Sequence, residues 1–289
     1  MKHFFIVMCV FFLGACGLGP PYDPEVNQTQ VENQAQYFQA FSHQVEGEKI
    51  YGVQAGQKCA PAILFIHGAP GNWQAWGQYL ADFELSNASF MMSVDRPGYG
   101  FSTGEIQDDN IKKQARLITE AALQTHKGPF LLVGHSYGGP IALQMAIDYP
   151  DAVSGIVMLA AAIDPDLHAS RWYHRFAKSF LVRWAIPHDL KVANKEMVRL
   201  KTDLQKQSLS LSDVSTPMTF VQGAKDWLVP KENIRYGQQN LTNSPIAVIE
   251  LKKEGHFLPW NQYFLVKQTI LSHIEKFENA CNETKGAAE

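Results

Sequence analysis

A serine set between glycines, a late histidine and a late aspartate are the residues of this chain whose types and spacing could do chemistry. Gly134, His135, Ser136, Tyr137 and Gly138 form Gly-x-Ser-x-Gly, directly after the apolar run Phe130 to Val133 and directly before a helical pattern. A hydroxyl is a weak nucleophile unless it is exposed beside a base. A tight strand-to-helix turn lifts it above a sheet, provided that glycines let the backbone crowd together. In a chain with 21 glycines the pentapeptide alone is weak evidence, and its weight comes from the strand and helix around it. The base that takes the serine proton should come later in the chain, in a loop after a late strand. His256 does, following Gly255 just beyond the run Ile246 to Leu251. His135 adjoins the serine but points away from it at a sharp turn, while His168, His174 and His188 fall in a long insertion. A carboxylate must then hold the imidazole tautomer and stabilise the imidazolium. Asp226, in a turn-rich stretch beyond the run Met218 to Gln222, is the first choice, and Asp164, beyond the preceding strand, is the alternative.

The oxyanion formed by attack on an acyl carbonyl needs two preorganised donors. The turn supplies one, the backbone N–H of Tyr137. The second is expected from the loop His67, Gly68, Ala69, Pro70, Gly71, where small residues let the N–H of Ala69 approach and Pro70 cannot donate. No pair of histidines and carboxylates has metal-ligand spacing, and no glycine-rich nucleotide fingerprint follows the early strands, so neither a metal nor a cofactor is expected.

These residues need a scaffold that brings distant loops to one rim. Tyr37 to Val45 and Ile50 to Ala55 read as an antiparallel hairpin around a turn at Glu46 to Lys49. Apolar runs that look like buried strands follow at Ala62 to Ile66, Phe90 to Val94, Phe130 to Val133, Val153 to Leu159, Met218 to Gln222 and Ile246 to Leu251. Helical patterns at Gln74 to Leu85, Asp108 to Thr125, Tyr137 to Asp148, Lys231 to Asn240 and Pro259 to Asn279 separate most of them. The last places Phe264, Ile270, Leu271, Ile274 and Phe277 on one face. This alternation predicts a mostly parallel central sheet flanked by helices. The interval Ile163 to Asp213 holds no convincing strand. Its aromatics, with basic residues between them, suggest short amphipathic helices forming a cap, in which Trp172, Phe176 and Trp184 are candidate substrate contacts.

The 289 residues are 46% apolar and 18% charged, which suits a packed domain and excludes low complexity. A net charge of -3, with no basic run, argues against nucleic acid as a partner. At the N-terminus Lys2 and His3 precede the apolar stretch Phe4 to Leu13, too short to span a bilayer, which reads as a secretory signal.

Taken together, the blocks resemble the α/β-hydrolase superfamily from Tyr37 to about Asn279. They are the His67-Gly68 loop, then Asp95, Arg96, Pro97, Gly98, Tyr99, Gly100, Phe101 and Ser102, then Ser136, then Asp226 with His256. In that family the block at Asp95 is a structural turn that shapes the site floor. The resemblance implies an α/β-hydrolase core at 37–162 and 214–280, a small helical cap at 163–213 inserted after the sixth strand, and a tail at 281–289. Epoxide hydrolases and haloalkane dehalogenases of this family carry an aspartate where this chain has Ser136, which disfavours their chemistry here. Proline iminopeptidase-like peptidases share a similar His-Gly-x-Pro-Gly loop, but recognise a free amine through cap carboxylates, and this cap is aromatic and basic. Cofactor-free haloperoxidase-like esterases and carbon-carbon bond hydrolases use the same triad. The expected function is a serine carboxylesterase acting on a small-molecule acyl substrate. An iminopeptidase-like peptidase and a catalytically silent, lipid-anchored binding protein are the alternatives.

Leu13, Gly14, Ala15 and Cys16 resemble a bacterial lipobox. That resemblance implies a signal peptide at 1–15, acylation of Cys16, a flexible tether at 16–36 and membrane attachment through the lipid. Gly17 after the cysteine favours the outer membrane, facing the periplasm. Cys59 and Cys281 are then the cysteines left in the mature body, and in an oxidising compartment they could pair.

Overall fold

The computed structural model describes residues 38–104, 110–167 and 187–275. The chain divides into two compact units, Met1–Phe38 and Gln39–Glu289. All of the first except Phe38 lies outside the described residues, and the second carries every described strand and helix.

Eight strands form one sheet: β1 (Gln39–Val45), β2 (Glu48–Gly56), β3 (Ala62–Ile66), β4 (Phe90–Val94), β5 (Phe130–His135), β6 (Val153–Leu159), β7 (Met218–Gly223) and β8 (Ile246–Leu251). Their spatial order is β1-β2-β4-β3-β5-β6-β7-β8. β1, β2 and β4 pair antiparallel, and every pairing from β4 across to β8 is parallel. The hairpin turn uses Glu46 and Gly47, both at positive φ (51° and 81°), a two-residue turn whose twist matches that of the strands it joins.

Every residue of β3, β4, β5 and β7 is buried, which is why these strands read as unbroken apolar runs. Ile63, Leu64, Phe65 and Ile66 are fully inaccessible, and each such side chain contributes about 2 kcal/mol of transfer free energy. β8 departs from the sequence reading. It has the same kind of apolar run but closes the sheet as an edge strand, with Ala247, Val248 and Glu250 exposed.

Among the described residues the helices are α1 (Gly77–Leu80), α2 (Phe83–Ala88), α3 (Asn110–Thr125), α4 (Gly138–Asp148), α5 (His188–Gln207), α6 (Glu232–Asn240), α7 (Leu258–Asn261) and α8 (Tyr263–Ile274). Two expected single helices are broken. The pattern at Gln74 to Leu85 resolves into a 3-10 turn at Trp73–Trp76, α1 and α2, because the Asp82 carboxylate accepts the Leu85 N–H and caps a new helix. The pattern expected from Pro259 begins at Leu258 and is interrupted at Gln262, whose backbone (φ -125°, ψ 37°) leaves the helical region. Within α8 the side chains of Val266, Ile270, Leu271 and Ile274 are buried, but Phe264 is 76% exposed rather than on the apolar face.

The described end of the insertion after β6 is α5, a helix of 20 residues, and then a 3-10 turn at Ser208–Asp213. Val192, Ala193, Glu196, Leu200, Asp203, Leu204 and Gln207 recur at helical spacing and are buried. Trp172, Phe176 and Trp184 lie outside the described residues, as does Cys16. Cys59 is disulfide-bonded, and the other cysteines of the chain lie outside the described residues. No described helix is long and apolar enough to cross a membrane.

Candidate active site

Parallel strands present all their C-terminal ends on one edge, so the loops after β3, β4, β5, β7 and β8 meet there. Ser136 follows β5 at φ 53°, a left-handed conformation that side-chain-bearing residues rarely adopt. Its N–H donates to Leu159 O at 2.9 Å, and its carbonyl accepts from Gly139 at 3.1 Å and Ala162 at 3.3 Å, which hold the turn against the end of β6. The flanking glycines are sterically required. A Cβ at Gly134 would lie 2.6 Å from Gly138 O, and one at Gly138 would lie 2.2 Å from Ile66 O. Between Phe130 and Ala146, Ser136 alone is not buried.

The loops after β7 and β8 are joined to each other through backbone bonds, Ala224 N–H to Leu251 O at 3.0 Å and Lys225 N–H to Glu254 O at 2.8 Å. A Cβ at Gly223 would sit 2.4 Å from Gly255 O, so glycine is what permits this approach. Asp226 and His256 meet as a result. His256 Nδ1–H donates to Asp226 Oδ2 at 2.8 Å, which leaves the lone pair on Nε2. The other carboxylate oxygen accepts Leu228 N–H at 2.9 Å and Val229 N–H at 2.8 Å, and Gln222 Nε2 donates to Oδ2 at 3.1 Å. The side chain of Asp226 has no exposure and that of His256 has 8%. Asp164 does not share this arrangement: its carboxylate accepts the N–H of Asp166, closing its own turn.

The loop after β3 abuts the serine turn. A Cβ on Gly68 would lie 3.2 Å from Ser136 Cβ, and Ala69 follows, half-buried. Tyr137 heads α4, where helix geometry leaves the first N–H groups without intrahelical partners. Asp95, beyond β4, accepts Trp73 N–H at 2.7 Å and Phe101 N–H at 2.8 Å, and burial raises its pKa to about 7. It organises the turn under the site.

Sequence reasoning missed the role of His135. Its Nε2–H donates to the main-chain carbonyl of His256 at 3.0 Å, and the two rings lie 4.8 Å apart, with Trp260 edge-on to His135 at 5.4 Å. These contacts place the His135 ring against His256. Burial, with the neighbouring His256 adding to it, pushes the pKa of His135 down to about 3. The unfolded chain protonates this imidazole near 6.5 and the folded chain only near 3, so acid favours unfolding between those values. The stability contributed by neutral His135 is therefore complete above pH 6.5 and lost as pH falls. Relative to His135→Gln, which keeps an N–H donor but cannot titrate, the wild type should lose about 2 kcal/mol between pH 7.5 and pH 5. Urea unfolding of both proteins at the two pH values measures this, and a constant difference would refute it.

Residues 61–186 match a family model described as the alpha/beta hydrolase fold. Human epoxide hydrolase 4 is 29% identical over 115 residues, 39% of this chain and 31% of that protein, so the match spans about a third of the curated relative. The Cif epoxide hydrolase from Acinetobacter nosocomialis superposes with a TM-score of 0.70 at 14% identity, covering 89% of this chain and 99% of that one. An esterase from Exiguobacterium antarcticum gives 0.62 at 20% identity, covering 82% and 99%. At such identities the two structures share the fold. The chain has the alpha/beta hydrolase fold.

Proposed function

We propose that this protein is a serine hydrolase that cleaves a carboxylic ester with a small or medium apolar portion through an acyl-enzyme. The observation that carries the reading is the buried 2.8 Å Asp226–His256 pair, tied by the His135 bond to the residue next to Ser136. His256 Nε2 takes the proton as Ser136 Oγ attacks the acyl carbonyl, and the N–H groups of Tyr137 and Ala69 hold the oxyanion. The tetrahedral species collapses, the alcohol leaves with the proton from His256, and water repeats the sequence in reverse roles to free the acid.

Epoxide hydrolases among the relatives do not change this reading. A carboxylate that opens an epoxide forms an ester, which water can cleave. The Ser136 alcohol would form an ether and stall, whereas acyl transfer to it gives a hydrolysable ester.

A fluorophosphonate probe tests the proposal. Wild type should be labelled and Ser136→Ala should not, while a silent binding protein stays unlabelled in both. Short-chain aryl esters should be turned over in preference to aminoacyl arylamides, and the opposite preference would favour a peptidase.

The disulfide at Cys59 supports an oxidising compartment, in keeping with export and acylation at Cys16. Cys16→Ser is then expected to leave the membrane fraction, and unchanged partitioning would exclude the anchor.

A further inference from the structure

The carbonyl of Gly68 accepts two hydrogen bonds, from Arg96 Nη2 at 2.9 Å and from His67 Nδ1 at 2.7 Å. His67 can donate there because its Nε2 accepts the Arg96 backbone N–H at 3.0 Å. Burial, then the charge of Arg96, holds the His67 pKa well below the usual imidazole range, so one nitrogen donates and the other accepts. Gly68 O and Ala69 N–H belong to one peptide unit, and that unit is trans, because the cis bonds are Ala69–Pro70 and Gly128–Pro129. In a trans amide the oxygen and the hydrogen point in opposite directions. Holding the oxygen toward Arg96 therefore aims the Ala69 N–H to the other side.

The same guanidinium lies 4.9 Å from the centre of the Tyr137 ring and 4.7 Å from that of Tyr99. Both residues that supply the candidate oxyanion donors are thus braced on one buried cation. Its charge is balanced from 100 positions away. Glu196, on α5 at the end of the insertion, takes Arg96 in a fork at 2.5 Å and 3.1 Å and also accepts Gln114 Nε2 and Tyr99 OH, each at 2.7 Å. Arg96 and Glu196 have no exposure.

We propose that Arg96, neutralised by Glu196, is a positioning residue that orients the Ala69 and Tyr137 N–H groups as an oxyanion hole. It couples that hole to the helix closing the insertion. This rests on the serine hydrolase reading and gives the Asp95–Arg96 turn a task beyond shaping the floor. Polarising the Gly68 carbonyl also makes the Ala69 N–H a stronger donor.

Removing one member of a buried ion pair is strongly destabilising, whereas replacing both with apolar residues is often tolerated. The test therefore uses the double variant Arg96→Met with Glu196→Leu, together with Arg96→Ala. On an aryl ester both should show kcat lowered about 30-fold, somewhat less than deletion of a direct donor, with KM changed less than threefold. Affinity for a trifluoromethyl ketone, whose adduct carries the oxyanion, should fall in parallel with kcat, while affinity for a competing product acid stays level. Millimolar guanidinium should restore part of the activity of Arg96→Ala. Tyr99→Phe, which loses a bond to Glu196 but leaves the Gly68 carbonyl untouched, should lower the melting temperature and keep kcat. If the Arg96 variants fold with wild-type kcat and ketone affinity, or lose both only through unfolding, this proposal alone is overturned. If wild type neither hydrolyses esters nor takes the fluorophosphonate label, the hydrolase reading fails and this proposal falls with it.

Discussion

Ser136→Ala should lower kcat for ester hydrolysis by about five orders of magnitude without loss of fold. The alcohol is the atom that becomes acylated in the proposed mechanism, and alanine removes it while keeping the Cβ that the turn already accommodates. Because Ser136 sits at φ 53°, alanine has the same unfavourable backbone, so the melting temperature should move little. Ser136→Gly should be equally inactive but more stable by about 1 kcal/mol, since glycine adopts this conformation freely. Stopped and steady-state assays with an aryl ester, beside thermal unfolding, read both quantities. Ser136→Ala activity within tenfold of wild type would remove the nucleophile from the mechanism.

Asp226→Asn should cost about four orders of magnitude in kcat, although it deletes no bulk and no hydrogen-bonding position. The geometry explains why. The Leu228 and Val229 N–H groups both point at Oδ1 and require an acceptor there, so the amide oxygen of an asparagine must occupy that place. Its NH2 group is then forced to where Oδ2 was, facing two donors, Gln222 Nε2 at 3.1 Å and His256 Nδ1 at 2.8 Å. His256 can relieve the conflict by moving its hydrogen to Nε2. The nitrogen that must accept the serine proton is then occupied, and phosphonylation by the probe should slow with kcat. Asp164→Asn should leave turnover near wild type, because its carboxylate accepts the Asp166 N–H in its own turn, and His256 is held by Asp226. If Asp164→Asn were the silent enzyme, the assignment of the two aspartates would be reversed.

Much of the scaffold was legible in the residues because its determinants are local. Strands buried on both faces are unbroken apolar runs, and β3, β4 and β6 begin and end where the sequence places them. The hairpin, the elbow glycines and the loops after β7 and β8 are written in turn chemistry over a few positions. Errors arose where a local pattern admits two packings. A buried run and an edge strand read alike, so the residues of β8 suggest a buried strand where the fold has an edge. An N-cap inside a helical pattern, as at Asp82, breaks it without disturbing the apolar spacing. Phe264 has the right phase for the core, but the interruption at Gln262 starts a new helix with that ring outside.

By itself the sequence determined the fold class, the order of serine, aspartate and histidine, and the strand ends on which each sits, because periodicity and turn residues act over ten positions or fewer. Only the tertiary structure decided that His256 faces Asp226 rather than Asp164, that His135 holds the main chain of His256, and that Arg96 meets Glu196. Such contacts join residues 30 to 121 positions apart. Nothing in the local pattern of either partner encodes the other, and they come together only when the crossovers of a parallel sheet deliver their loops to one edge.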